Sequence, residues 1–192
     1  MIVILGNMGV GKTTVASQLS ESLDIPFFSI DNMRCKCFKK TPRLSDQLSK
    51  EQIQAIIKKE LKWEKKAKDL LIKNCLSHKH IILETLGVSD VYSKIIQEYV
   101  LKYPSEKIVA FQLFAPINFL EKRVLKRAKK GIVPVPQKWK CEWGNCFMSD
   151  EDCLLYSLKW ANDQKSHFEP YIQAKWDSQR NSSKTILKKI IK

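Results

Sequence analysis

This chain lacks any apolar run near the ~18 residues that a membrane span requires, so a helical membrane protein is excluded. Its first apolar run is four residues long and has no basic flank, so no secretory leader is expected and the chain reads as cytoplasmic. No N-K-x-D sequence occurs, which removes the usual guanine-reading signature of GTPases. No internal repeat or low-complexity linker appears, so residues 1–192 read as one domain. Paired C-x-x-C is also missing. In a chain read as cytoplasmic, the cysteines at 35, 37, 75, 141, 146 and 153 read as free thiols, and Cys141, Cys146 and Cys153 with His167 fit no common zinc spacing.

Acidic residues are scarce, 20 against 34 basic, for a net charge of +14. That surplus favours polyanionic partners: nucleotide, phosphorylated metabolite or nucleic acid. Lysines 58, 59, 62, 65, 66 and 68 fall on one expected helix and read mostly as its solvated face. Apolar residues make up 44%, which suits a globular fold with a good core.

Against these gaps stands one uninterrupted motif. Gly6-Asn7-Met8-Gly9-Val10-Gly11-Lys12-Thr13 reads G-x-x-x-x-G-K-T, directly after the apolar run 2–5 and directly before an amphipathic stretch, 14–23. Strand, glycine loop and helix form the context in which backbone N–H groups cradle phosphates. Gly9, Val10, Gly11, Lys12, Thr13 and Thr14 are the expected nucleotide-binding residues. Lys12 reaches the β- and γ-phosphates, and the Thr13 hydroxyl suits Mg²⁺. ATP and Mg²⁺ are the expected cofactors.

Strand and helix patterns alternate along the chain, which predicts an α/β fold with parallel strands. Strands are expected at 2–5, 26–30, 80–85, 107–114 and 171–176. Helices are expected at 12–23, from Ser49 onward, near 90–101, at 117–129 and at 182–191. Ser49 with Gln52 forms a capping-box pattern, and Ile53, Ile56, Ile57, Leu61, Leu70 and Leu71 give that helix an apolar stripe. Trp63 reads as part of it. Residues 35–48 read as irregular, and 130–165 as a lid with short helices.

Phosphoryl transfer also needs a metal, an acceptor-orienting group and positive charge on the moving phosphoryl. Asp31 ends the second strand and suits the base; capping is its structural alternative. Arg34 lies beside it if a helix begins there. Glu84 ends the third strand and suits Mg²⁺ through water, or else orders the loop that follows. Arg123 and Arg127 stand one helical turn apart before the lid, where closure would bring them onto phosphates.

The opening, with Leu19, Leu23, Pro26, Phe27 and Phe28, resembles that of shikimate kinases, within the nucleotide-kinase-like group of P-loop kinases. Leu113-Phe114-Ala115-Pro116 followed by Arg123 and Arg127 is similar to the group's lid entrance. The resemblance implies a three-layer sandwich with a five-stranded parallel sheet, a helical substrate region and an arginine-bearing lid. It also implies an adenine contact near 177–182. Three departures point away from shikimate. Ser29 stands where that family has a first aspartate, Glu84-Thr85-Leu86-Gly87 replaces its glycine triplet, and no substrate arginine appears near 62–64. Asp31-x-x-Arg34 looks more like the polynucleotide kinase and zeta-toxin branch. There the Asp is the base and the Arg contacts phosphoryl or substrate. Segments 131–134 and 168–170 resemble that branch weakly.

The expected activity is transfer of the γ-phosphoryl of MgATP to a hydroxyl or phosphate of a small molecule or nucleotide. Lys12, Asp31, Arg34, Arg123 and Arg127 would carry it. A 5′-hydroxyl polynucleotide kinase and a P-loop NTPase switch or binding module are the alternatives.

Overall fold

The computed structural model describes residues 1–39, 47–129, 137–142 and 145–191. Parts of the stretch 35–48 and of the expected lid, 130–165, and all of segment 131–134 lie outside them.

Five strands, β1 (Ile2–Gly6), β2 (Phe27–Ser29), β3 (Ile82–Thr85), β4 (Val109–Phe114) and β5 (Ile172–Asp177), form one sheet in the order β2-β3-β1-β4-β5. All four pairings are parallel. Every strand is followed by a helix, the connection that parallel pairing demands. These helices are α1 (Lys12–Leu23), α2 (Ile30–Cys37) with the long α3 (Lys50–Leu76), α4 (Asp90–Lys102), α5 (Ile117–Lys129) and, closing the chain, α8 (Ser183–Ile191). Two helices, α6 (Gln137–Glu142) and α7 (Asp150–Asn162), lie in the expected lid stretch.

Side chains alternate across the sheet, so each strand feeds two cores. Val3, Leu5, Leu83 and Ala110 join Ala67, Leu71, Ile95 and Tyr99 on one side. Ile4, Ile82 and Leu113 join Val15, Leu19, Leu120, Val124, Leu158 and Ile186 on the other. The result is a helix–sheet–helix sandwich with β1 at its centre.

Most expected elements appear within one or two residues of their reading. Four corrections carry information. Strand β2 stops at Ser29, so Asp31 lies in the first turn of α2. Helix α2 occupies part of the stretch read as irregular. The inward stripe of α3 is Ile56, Glu60, Glu64, Ala67, Leu71 and Cys75, while Leu61 is 50% exposed. Cys141 and Cys146 are joined in a disulfide rather than free, with Cα atoms 4.1 Å apart. Trp63 is half-buried and packs on Phe38, ring centroids 5.7 Å apart. The capping box of Ser49 and Gln52 is present.

Candidate active site

The glycine loop turns on backbone that side chains avoid. Gly9 and Gly11 have φ of 78° and 98°, in the left-handed region that favours glycine. Gly11 caps α1 without a side-chain partner, so first-turn N–H groups face outward as a ready anion site.

Lys12 is buried and donates from Nζ to the Asn7 carbonyl at 3.1 Å. Its Nζ stands 3.8 Å from Glu84 Oε1. Thr13 Oγ1 donates to the same oxygen at 3.0 Å. Register explains the meeting: β1 and β3 pair Ile4 with Glu84 and Leu5 with Thr85, so the end of β3 abuts the loop. Glu84 is buried and contacts the phosphate loop; the turn after it is closed instead by Thr85 Oγ1, which accepts from Gly87 N at 2.7 Å. Burial pushes the Glu84 carboxyl up, against the pull of Lys12 and Thr13. Burial pushes the Lys12 ammonium down, against Glu84 and Asp31. Each charge is thus incompletely compensated. A hydroxyl and a carboxylate sharing one point form the hard oxygen set that Mg²⁺ prefers, so the residues fit that ion.

On the other side of the loop, Ser29 Oγ caps α2 by accepting from Asn32 N at 3.1 Å. Ser29 therefore does the capping that Asp31 was weighed for, and the Asp31 side chain remains 79% exposed. Arg34 is fully engaged. Its Nε and Nη2 donate to Glu64 Oε2 and Oε1 at 2.8 and 2.6 Å, and its Nη1 donates to Asp31 Oδ1 at 3.1 Å. Trp139 of α6 covers the guanidinium, with its ring centroid 5.1 Å from Cζ. Burial raises the Glu64 carboxyl, but the hydrogen bonds and charge of Arg34 outweigh it and hold Glu64 below its usual value. Tyr92 is also buried and pushed up by that burial, against a hydrogen bond with Thr85 and the charge of Arg34.

Helix α5 borders the loop. Arg127 acts electrostatically on both Lys12 and Glu84. Arg123 is exposed and lies over Phe119, 5.3 Å from Cζ to centroid. A Cβ on Gly9 would sit 3.6 Å from that of Arg123 and 3.3 Å from Val124 Cγ2, so loop and helix are in direct contact. The structure thus joins Lys12, Thr13 and Glu84 directly, with Asp31 and Arg127 acting on Lys12 and Glu84 electrostatically. Arg34 reaches this group through Asp31, and Arg123 stands at its rim.

Several neighbours escaped the sequence reading. Glu60 Oε2 accepts from Lys138 N at 2.8 Å and so holds the start of α6. Lys140 Nζ pairs with Asp150 at 2.6 Å and ties α6 to α7. Asn7 Nδ2 donates to the Leu158 carbonyl at 3.1 Å and ties the loop to α7. The signal for Glu60 and Glu64 was their spacing, four residues apart and in phase with Ile56, Ala67 and Leu71.

Fold and loop together define a protein with a P-loop kinase fold. The chain belongs to the AAA domain family, whose model matches residues 2–130. No curated protein sequence matches it. Among solved structures it is similar to a candidate kinase from Chloroflexus aurantiacus, at 15% identity over 99% of this chain and 92% of that one, with a TM-score of 0.63. A shikimate kinase from Acinetobacter baumannii in complex with shikimate gives 17%, 99%, 89% and 0.58. The shikimate kinase of Aquifex aeolicus gives 18%, 99%, 93% and 0.53. At such identities the likeness is one of fold.

Proposed function

We propose that this chain is an ATP-dependent phosphotransferase, moving the γ-phosphoryl of MgATP to a hydroxyl or phosphate of a small molecule or nucleotide. One observation carries the reading. Lys12, Thr13 and Glu84 converge under the open N-terminus of α1, and Asp31 lies within electrostatic reach of both Lys12 and Glu84. A bare nucleotide-binding module needs the first three but not an exposed carboxylate within electrostatic reach of them.

In this reading residues 1–192 form one kinase domain, with 130–165 as its lid. Gly9, Val10, Gly11, Lys12, Thr13 and Thr14 hold the triphosphate. Thr13 and Glu84 would hold Mg²⁺, which supplies charge neutralisation between the phosphates. Asp31 accepts the proton of the acceptor hydroxyl as its oxygen bonds to phosphorus. The bond from phosphorus to the β–γ bridging oxygen breaks, and ADP leaves with that electron pair. Lys12 and Arg127 neutralise charge on the moving group, and Arg123 does so from the rim when the lid closes. Arg34, held by Glu64, orients Asp31. The loop 177–182 is the proposed adenine contact. The absence, among the described residues, of any helix long and apolar enough to cross a membrane is compatible with the cytoplasmic setting proposed for this reaction.

The test is label transfer from γ-labelled ATP to nucleoside monophosphates, polyols and 5′-hydroxyl oligonucleotides. Labelled acceptor is expected with wild type. The Asp31→Ala variant is expected to bind MgATP normally and lose transfer. Label released only as free phosphate, with Asp31→Ala unchanged, would replace this reading by a nucleotide-driven switch.

A further inference from the structure

Helix α3 carries eight lysines and four acidic residues, a mixture that in sequence reads as an ordinary solvated face. The fold sorts them. Glu60 and Glu64 turn inward and are buried, one against the α6 backbone and one against Arg34. Lys58, Lys59, Lys62, Lys65, Lys66 and Lys73 remain exposed, and none has an ion pair among the described residues. At 3.6 residues per turn these six span about a third of the circumference, and from 58 to 73 they run about 22 Å. Asp69 is the one exposed acid within that span.

A face that serves solubility alone mixes both signs evenly, whereas a stripe of six cations with one acid creates a directed field. We propose that the outer face of α3 binds the sugar-phosphate backbone of a nucleic acid strand. A straight stripe about 22 Å long matches roughly six nucleotides at about 3.4 Å per strand residue. The stripe consists of flexible ammonium groups, with no aromatic platform among them. Such a surface grips phosphates and leaves bases unread, so binding is independent of sequence. An anionic membrane is the less suitable partner, because interfacial helices insert an apolar face and this one shows only Leu61 at its edge. The surface lies on the side of α3 opposite Arg34, so the inference stands apart from the kinase reading.

The test is fluorescence anisotropy of labelled 12-nucleotide single-stranded DNA and RNA of mixed sequence, with vesicles containing phosphatidylserine in parallel. Engagement of four phosphates predicts about a fifty-fold loss of affinity between 50 and 200 mM salt. Replacing Lys58, Lys62, Lys65 and Lys66 by alanine keeps helix propensity and is expected to weaken binding at least tenfold and flatten that salt dependence. A control variant removes the same charge elsewhere, with alanine at Lys94, Lys184, Lys188 and Lys189, and is expected to change binding less than twofold. Equal losses in the two variants, no binding of either strand, or dependence on these lysines with vesicles alone would each overturn the proposal.

Discussion

Arg34 gives two of its nitrogens to Glu64, thirty residues away, at 2.8 and 2.6 Å, so the carboxylate and guanidinium planes meet as a fork. The pair is sheltered, with side chains 20% and 7% exposed, and joins α2 to the middle of α3. Removing one partner leaves a buried charge uncompensated. Glu64→Gln is expected to cost about 3 kcal/mol at neutral pH, measured by urea unfolding. The sign of its pH dependence follows from the lowered Glu64 carboxyl. The stabilisation is full above the unfolded value of about 4.3 and drains as pH falls through the lower folded value. Wild type and variant are therefore expected to converge in acid. A constant gap across that range would mean the pair is not the source.

The two ends of the phosphate loop tolerate change differently. A Cβ on Gly6 would run into the Leu113 carbonyl of β4, whereas a Cβ on Gly11 meets nothing within 4 Å. Gly6→Ala is expected to destabilise by about 3 kcal/mol or more. Gly11→Ala is expected to cost only the left-handed penalty, about 1–2 kcal/mol. The same unfolding measurement ranks them, and the reverse order would contradict the packing.

Lys12 is buried, and among the described residues its partners are the Asn7 carbonyl and Glu84. A bound triphosphate would supply stronger ones. Lys12→Met keeps the length of the side chain and is expected to weaken MgATP binding about tenfold to a hundredfold by calorimetry. Unchanged affinity would remove Lys12 from the phosphate site.

The cysteines sort by burial. Cys35 is exposed, whereas Cys37, Cys75 and Cys153 are buried. Burial pushes the thiols of Cys75 and Cys153 up to about 12 and about 11, far from the reactive thiolate form. Native alkylation read by mass is expected to mark Cys35 alone. Two further marks, at Cys141 and Cys146, are expected only after treatment with a dithiol reductant.

The donor half of the site was legible because its parts are contiguous. Strand, glycines, Lys12 and Thr13 lie within a dozen residues, and local spacing alone specifies them. Glu84 was readable as an acid ending an apolar strand. Arg34 was placed beside Asp31 because three residues on a helix bring side chains together. Its bond to Glu64 was hidden, since nothing local links positions 34 and 64. Periodicity on α3 admits several inward stripes, and preference for apolar residues selected one containing Leu61. The partners Arg34 and Lys138 N satisfy Glu64 and Glu60, and that satisfaction lets acids occupy the interior in place of leucine. Cys141 and Cys146 were read as thiols from the expected compartment, an argument blind to the close approach of their backbones.

Thr13 and Glu84 are 71 positions apart in the chain, yet one oxygen of Glu84 serves both Thr13 and Lys12. They become neighbours only through the pairing of Ile4 with Glu84 across β1 and β3. A slip of that pairing by a single residue would turn Glu84 to the opposite face of the sheet. Assembly of the phosphate site therefore reports on the register of the central strands. A chain whose central strands are misaligned can still form its glycine loop, but it has no carboxylate to set beside it.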